Sequence, residues 1–140
     1  MVHPSHLTLE IVTPDRAVAH DQVDEVEIPG AEGYFGVLPG HTPLLAALQV
    51  GELWYRKGAE TFYVSVAFGF AEVLPDRVTI LAQIAERAEE IDVARAEDEK
   101  RHAQEGLTRR TSDADLETAR ISMLKALVRL QVATRARRRS

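Results

Sequence analysis

The sequence predicts an α+β chain in which an antiparallel β-sandwich or flattened barrel of about 8–10 short strands precedes a C-terminal α-helical hairpin. Three observations carry this reading. Between residues 7 and 84, short apolar runs alternate with polar residues and are cut by frequent Gly and Pro turn signals. After residue 90 there is no proline and a single glycine, Gly106. At the same place the charge changes sign: residues 1–90 carry 5 basic against 14 acidic side chains, and residues 91–140 carry 12 against 8. We place the sandwich at residues 1–86 and the hairpin at residues 87–140.

The strands follow from period-two alternation. Leu7, Leu9 and Ile11 alternate with Thr8, Glu10 and Val12, and Thr13-Pro14-Asp15-Arg16 reads as a turn. Val23, Val26 and Ile28 lead into Gly30-Ala31-Glu32-Gly33-Tyr34-Phe35-Gly36-Val37-Leu38-Pro39-Gly40-His41-Thr42-Pro43, where four glycines and two prolines punctuate a strand–turn–strand segment. Leu44–Leu48 follows. Leu53–Arg56, Lys57-Gly58-Ala59-Glu60 and Thr61–Val66 have the layout of a β-hairpin. Phe68–Leu74 and Arg77–Leu81, joined at Pro75-Asp76, are expected as two further strands. The aromatic residues Trp54, Tyr55, Phe62, Tyr63, Phe68 and Phe70 are expected in core and cross-strand packing.

The helices follow from their caps and spacing. Asp92 is placed to cap a first helix carrying Val93, Ala96, Ala103 and Leu107 at helical intervals, with Gly106 near its end. Its apolar residues are mostly small and bury little area, so this helix depends on a partner. Ser112-Asp113-Ala114-Asp115 opens a second helix, with a hydroxyl cap and acidic residues in the positively polarised first turn. That helix has two apolar stripes: Leu116, Ala119, Met123, Leu127 and Leu130 on one side, and Ile121, Leu124, Val128 and Val132 on the other. A polar strip of Thr118, Ser122, Lys125 and Arg129 runs between them. Two stripes call for two packing partners, or for a hairpin that docks in more than one way.

Composition narrows the functional classes. With no cysteine there is neither a disulfide framework nor a thiolate metal site. Met1–His6 lacks the basic start and apolar core of a signal peptide, and no run is long enough to span a bilayer. His3, His6, His20, His41 and His102 do not follow zinc-ligand spacing. Gly30, Gly33 and Gly36 lie between strands and precede neither a helix nor a Gly-Lys-Ser/Thr ending, so they are not a phosphate loop. No catalytic set of residues emerges, and an enzyme is the weaker class.

Taken in order, these features resemble a known family. Phe35-Gly36-Val37-Leu38-Pro39-Gly40-His41, with Pro43-Leu44-Leu45 after it, and Ile91-Asp92-Val93-Ala94-Arg95-Ala96 some fifty residues later, resemble the epsilon subunit of bacterial (F-type) ATP synthase over about residues 6–133. The resemblance implies a noncatalytic rotor subunit of the central stalk, on the cytoplasmic face of the bacterial inner membrane and attached only through the complex. It further implies a sandwich that binds the gamma subunit and the c-ring, coupling proton flow to ATP synthesis, and a hairpin that restrains ATP hydrolysis. Glu32, Tyr34, His41 and Thr42 become candidate rotor contacts.

The resemblance also implies ATP as a regulatory ligand, with no other cofactor and no metal. The matching residues here are Glu86, Ile91, Asp92, Arg95, Ala96 and Arg129. Forked guanidinium groups suit phosphate oxygens, and a carboxylate can accept from an adenine amine or a ribose hydroxyl. His102 and Lys125 stand where nucleotide-binding members have arginines. A purely structural reading of Asp92 as helix cap and of Arg95 as partner of Glu99 stands beside the nucleotide one.

The basic tail, Arg135, Arg137, Arg138 and Arg139, is the remaining signal. By resemblance its partner is an acidic segment of the catalytic beta subunits, with alpha alongside, reached through the C-terminal helices. The rival reading is a stand-alone β-sandwich module whose basic helical tail recognises an acidic protein or nucleic acid. Against nucleic acid stand the acidic remainder of the chain and the absence of a groove-reading or stacking motif.

Overall fold

The computed structural model describes residues 4–109 and 112–139, with side chains through Ala136. The chain divides into two compact units, Met1–Arg87 and Ala88–Ser140.

The first unit contains eight strands: β1 (Leu7–Val12), β2 (Ala17–Val23), β3 (Glu25–Gly30), β4 (Gly33–Val37), β5 (Leu44–Leu48), β6 (Gly51–Lys57), β7 (Glu60–Leu74) and β8 (Arg77–Arg87). Leu7, Leu9 and Ile11 are fully buried while Thr8, Glu10 and Val12 are half-buried, as period-two alternation requires. Their core partners are Ile28, Leu53, Val64, Val66, Val73, Val78 and Ile80. Each full burial of such a side chain is worth about 1.5–3 kcal/mol. The turn at Thr13 closes with its amide donating to the Arg16 carbonyl at 2.9 Å. Lys57 pairs directly with Glu60, so the β6–β7 loop is the two residues Gly58 and Ala59.

Two features depart from the expected arrangement. β1 pairs antiparallel with β2 but parallel with β8, so the sheet is antiparallel except for one ladder. The segments expected as separate strands around Phe68 form the single 15-residue strand β7. It is kinked at Phe68 (φ 59°) and Gly69 (φ 120°). The N-terminal half of β7 pairs with β6, its C-terminal half pairs with β5, and β8 follows both halves. One bent strand thereby serves both layers of the sandwich.

The second unit opens with one 3₁₀ turn, Ala88–Glu90, followed by α1 (Val93–Thr108) and α2 (Asp113–Arg139). Asp92 caps α1 by accepting from the Arg95 amide at 3.1 Å, and Ser112 Oγ accepts from the Asp115 amide at 3.2 Å. Gly106 does not end α1, which runs two residues further. A Cβ at Gly106 would stand 3.1 Å from the Ala119 methyl, so its role is close helix approach. Ala96, Ala103 and Ala126 are buried, whereas Leu124 and Leu127 remain 44% exposed. Small residues and the half-buried Arg129 therefore line the seam, Val132 of the second stripe is fully buried, and Leu124 and Leu127, one from each stripe, are left exposed.

Candidate functional site

On the first unit the glycine-rich segment forms the β3–β4 hairpin and the loop into β5. Gly30 pairs with Leu48 and the Ala31 amide donates to the Ala47 carbonyl at 2.8 Å, which sets the hairpin beside β5. A groove of about 550 Å³ lies there, lined by the segment from Gly30 to Phe35 and by Leu44, Leu45, Ala46 and Ala47. Glu32 and Tyr34 belong to this groove. The Tyr34 hydroxyl accepts from the Glu52 amide at 3.0 Å, so the ring is held in place while half of it faces solvent.

His41 and Thr42 are in the β4–β5 loop and do not line the groove. The loop is well anchored: Gly40 donates to the Pro75 carbonyl at 2.7 Å and His41 Nδ1 donates to the Thr42 carbonyl at 2.6 Å. His41 thus spends one ring nitrogen on the carbonyl of the next residue.

The apolar surface around these residues was not singled out from sequence. Leu45 is 71% exposed, with Leu38, Leu44, Phe70, Leu81 and Ile84 also exposed. Register places Ala47, Phe70 and Leu81 opposite one another across β5, β7 and β8, and puts Leu45 opposite Glu72. Of the expected core and cross-strand packing, Phe70 has the cross-strand register but lies outside the core, 55% exposed. Tyr55 and Phe62 do pack, with their rings stacked at 5.2 Å. The missed signal was Leu44-Leu45 together: adjacent strand residues face opposite sides, so they cannot both point into one core.

A polar cluster ties the other end of the unit. Asp24 accepts from the Gly58 amide at 2.7 Å and lies 3.1 Å from His6 Nδ1, with Arg56 nearby. The Gly58 hydrogen bond is the main cause holding its carboxyl below the ordinary range, assisted by His6 and Arg56. Lys57 is raised chiefly by its 2.8 Å hydrogen bond to Asp21.

Of the six residues considered for nucleotide, Glu86 lies in β8 of the first unit. The other five lie in the second unit. Ile91 and Ala96 are buried, and the Asp92 carboxylate caps α1. Arg95 Nε donates to Glu99 at 3.1 Å and Arg129 Nη1 donates to the same carboxylate at 2.8 Å. The cap and the Arg95–Glu99 pair of the structural reading are both formed. Arg135 is half-buried near the end of α2. The side chains of Arg137, Arg138 and Arg139 lie outside the described residues. Among the described residues no His, Asp or Glu group of three could hold a metal, and no helix is long and apolar enough to cross a membrane.

Two family models match consecutive stretches of the chain: the ATP synthase delta/epsilon chain β-sandwich domain over residues 6–88, and the delta/epsilon long α-helix domain over residues 89–134. The chain belongs to the ATP synthase delta/epsilon family. The ATP synthase epsilon chain of Herpetosiphon aurantiacus is 49% identical over 133 residues, covering 95% of this chain and 98% of that one. The epsilon chain of Koribacter versatilis is 56% identical over 98 residues, covering 70% and 69%. A chain in the Euglena gracilis mitochondrial ATP synthase structure, described as OSCP/F1/c-ring, superposes with a TM-score of 0.83 at 23% identity. It covers 96% of this chain and 84% of that one, and shows a common fold. As an epsilon-type member of this family, the chain is a noncatalytic ATP synthase subunit.

Proposed function

We propose that this epsilon subunit works in the central stalk of a proton-translocating ATP synthase, where its sandwich, residues 1–86, binds gamma and the c-ring. The exposed apolar groove beside β5 carries this reading. Leu38, Leu44, Leu45 and Tyr34 present an apolar edge on a rigid sheet, in a family whose members are named as parts of a multisubunit complex. An edge of this kind suits torque transmission, because backbone hydrogen bonds to Pro75 and Ala47 hold its loops. Glu32, Tyr34, His41 and Thr42 add polar contacts around it. The complex keeps the subunit on the cytoplasmic face of the bacterial inner membrane.

The hairpin, residues 87–140, restrains ATP hydrolysis by leaving its folded state and lying along gamma, with the arginine tail against acidic beta-subunit surface. Its seam is built from Ala96, Ala103, Gly106, Ala119 and Ala126, which bury little area, so opening costs little. Leu124 and Leu127, left exposed in the folded hairpin, supply apolar surface for a new partner. ATP, held on the hairpin by Arg95 and Arg129, favours the folded state.

Leu45→Glu tests the rotor contact without touching a buried side chain. The full-length variant is expected to melt as the parent does and to lose capture by immobilised gamma at least about tenfold, as burying an unpaired carboxylate requires. Undiminished capture would move the gamma contact to another face.

A further inference from the structure

Arg95 and Arg129 converge on one acid. Arg95 Nε reaches Glu99 Oε1 at 3.1 Å from one turn earlier on α1, and Arg129 Nη1 reaches Oε2 at 2.8 Å from α2. Each carboxylate oxygen is therefore taken by a different guanidinium. The ion pairs Arg101–Asp98 and Arg120–Glu117 each lie within one turn of a single helix and are well exposed. Arg129 differs: its side chain is only 13% exposed. Glu99 also lines a groove of about 370 Å³ between the helices, with His102, Thr118, Ser122 and Lys125 along it and Asp115 as a second acid.

A carboxylate bridging two guanidinium groups occupies the arrangement that two oxygens of a phosphate group would take. We propose that Glu99 is the resident counter-ion of an anion site formed by Arg95 and Arg129, so that a polyphosphate binds there only by displacing its carboxylate. Asp92 does not compete, because its carboxylate is spent on the helix cap. Once displaced, Glu99 repels the incoming anion, which raises the concentration at which nucleotide acts on the hairpin. The adjoining groove, with its hydroxyls and Lys125, has room for the rest of a phosphate chain. This inference rests on the nucleotide reading above and names what sets its threshold.

Calorimetric titration of the full chain with inorganic tripolyphosphate and with ATP tests it, comparing the parent with Glu99→Gln and Arg129→Gln. Glu99→Gln is expected to bind tripolyphosphate about tenfold tighter or more, since a repelling charge is removed beside two cations; Arg129→Gln is expected to lose it. Equal or weaker tripolyphosphate binding by Glu99→Gln, or no binding by either protein, overturns the proposal. Gain for tripolyphosphate without ATP binding leaves the counter-ion in place and refutes the nucleotide reading. Equal ATP and equal tripolyphosphate affinity in parent and variant does the reverse. Circular dichroism checks the hairpin. If Glu99→Gln loses helix, Glu99→Asp, too short to span both arginines, is judged by the same criterion.

Discussion

Gly69→Ala probes the kink that lets β7 serve both layers. Gly69 has φ 120°, a region that L side chains avoid, and a Cβ there would overlap the Leu81 carbonyl oxygen and stand 2.9 Å from Ala82 Cα. Both neighbours are backbone of β8, so no rotamer change relieves the overlap. Backbone strain of about 1–3 kcal/mol adds to an overpacking term of similar size, giving about 3–5 kcal/mol. Gly58→Ala is the control. It also has positive φ, at 60°, but nothing within 4 Å of its Cβ, and should lose about 1–2 kcal/mol. Urea denaturation of both full-length variants, with thermal melts alongside, measures the difference. At about 4–8 °C per kcal/mol for a unit of this size, Gly69→Ala should melt at least about 4 °C below Gly58→Ala. Equal losses would mean that β8 yields to the added methyl, and that the kink is not sterically locked.

Two further outcomes follow from the packing and the charges. Ala126 is fully buried in α2, so Ala126→Leu should pry the hairpin open, lowering helical signal while the β-sandwich transition keeps its midpoint. Asp24 has a lowered folded-state pKa, so its stabilisation is present above the unfolded carboxylate range and is lost as pH falls through the folded value. Asp24→Asn should therefore lower the denaturation midpoint at neutral pH, and the two midpoints should converge in acid; parallel curves throughout would refute the assignment.

Alternation in Leu7–Val12 shows which side chains enter the core, because the period of two is local. It does not show the neighbour: the parallel β1–β8 ladder joins residues about seventy positions apart, and nothing in either segment encodes it. Phe68-Gly69 reads as a break between strands, since a bulge and a chain reversal use the same residue types. In the helices the caps at Asp92 and Ser112 are legible because capping needs only a side chain and an amide three residues on. The seam is less so. Helical spacing favours the leucine stripes, but Gly106 against Ala119 brings the backbones close and selects a register in which small residues meet. That register also carries Arg129 to Glu99, thirty residues away, which is why the shared carboxylate is invisible in the sequence. Glu32 and Tyr34 reach a groove as the motif implies; the leucines that make it apolar are recognised only once β5 has a position.

Affinity purification of the tagged full-length chain from its own cells tests membership of a working central stalk most directly. Gamma and the c subunit should be recovered with the chain in fixed stoichiometry, in a complex that survives gel filtration. Recovery of the chain alone, from cells in which the assembled ATP synthase is present, would contradict the account.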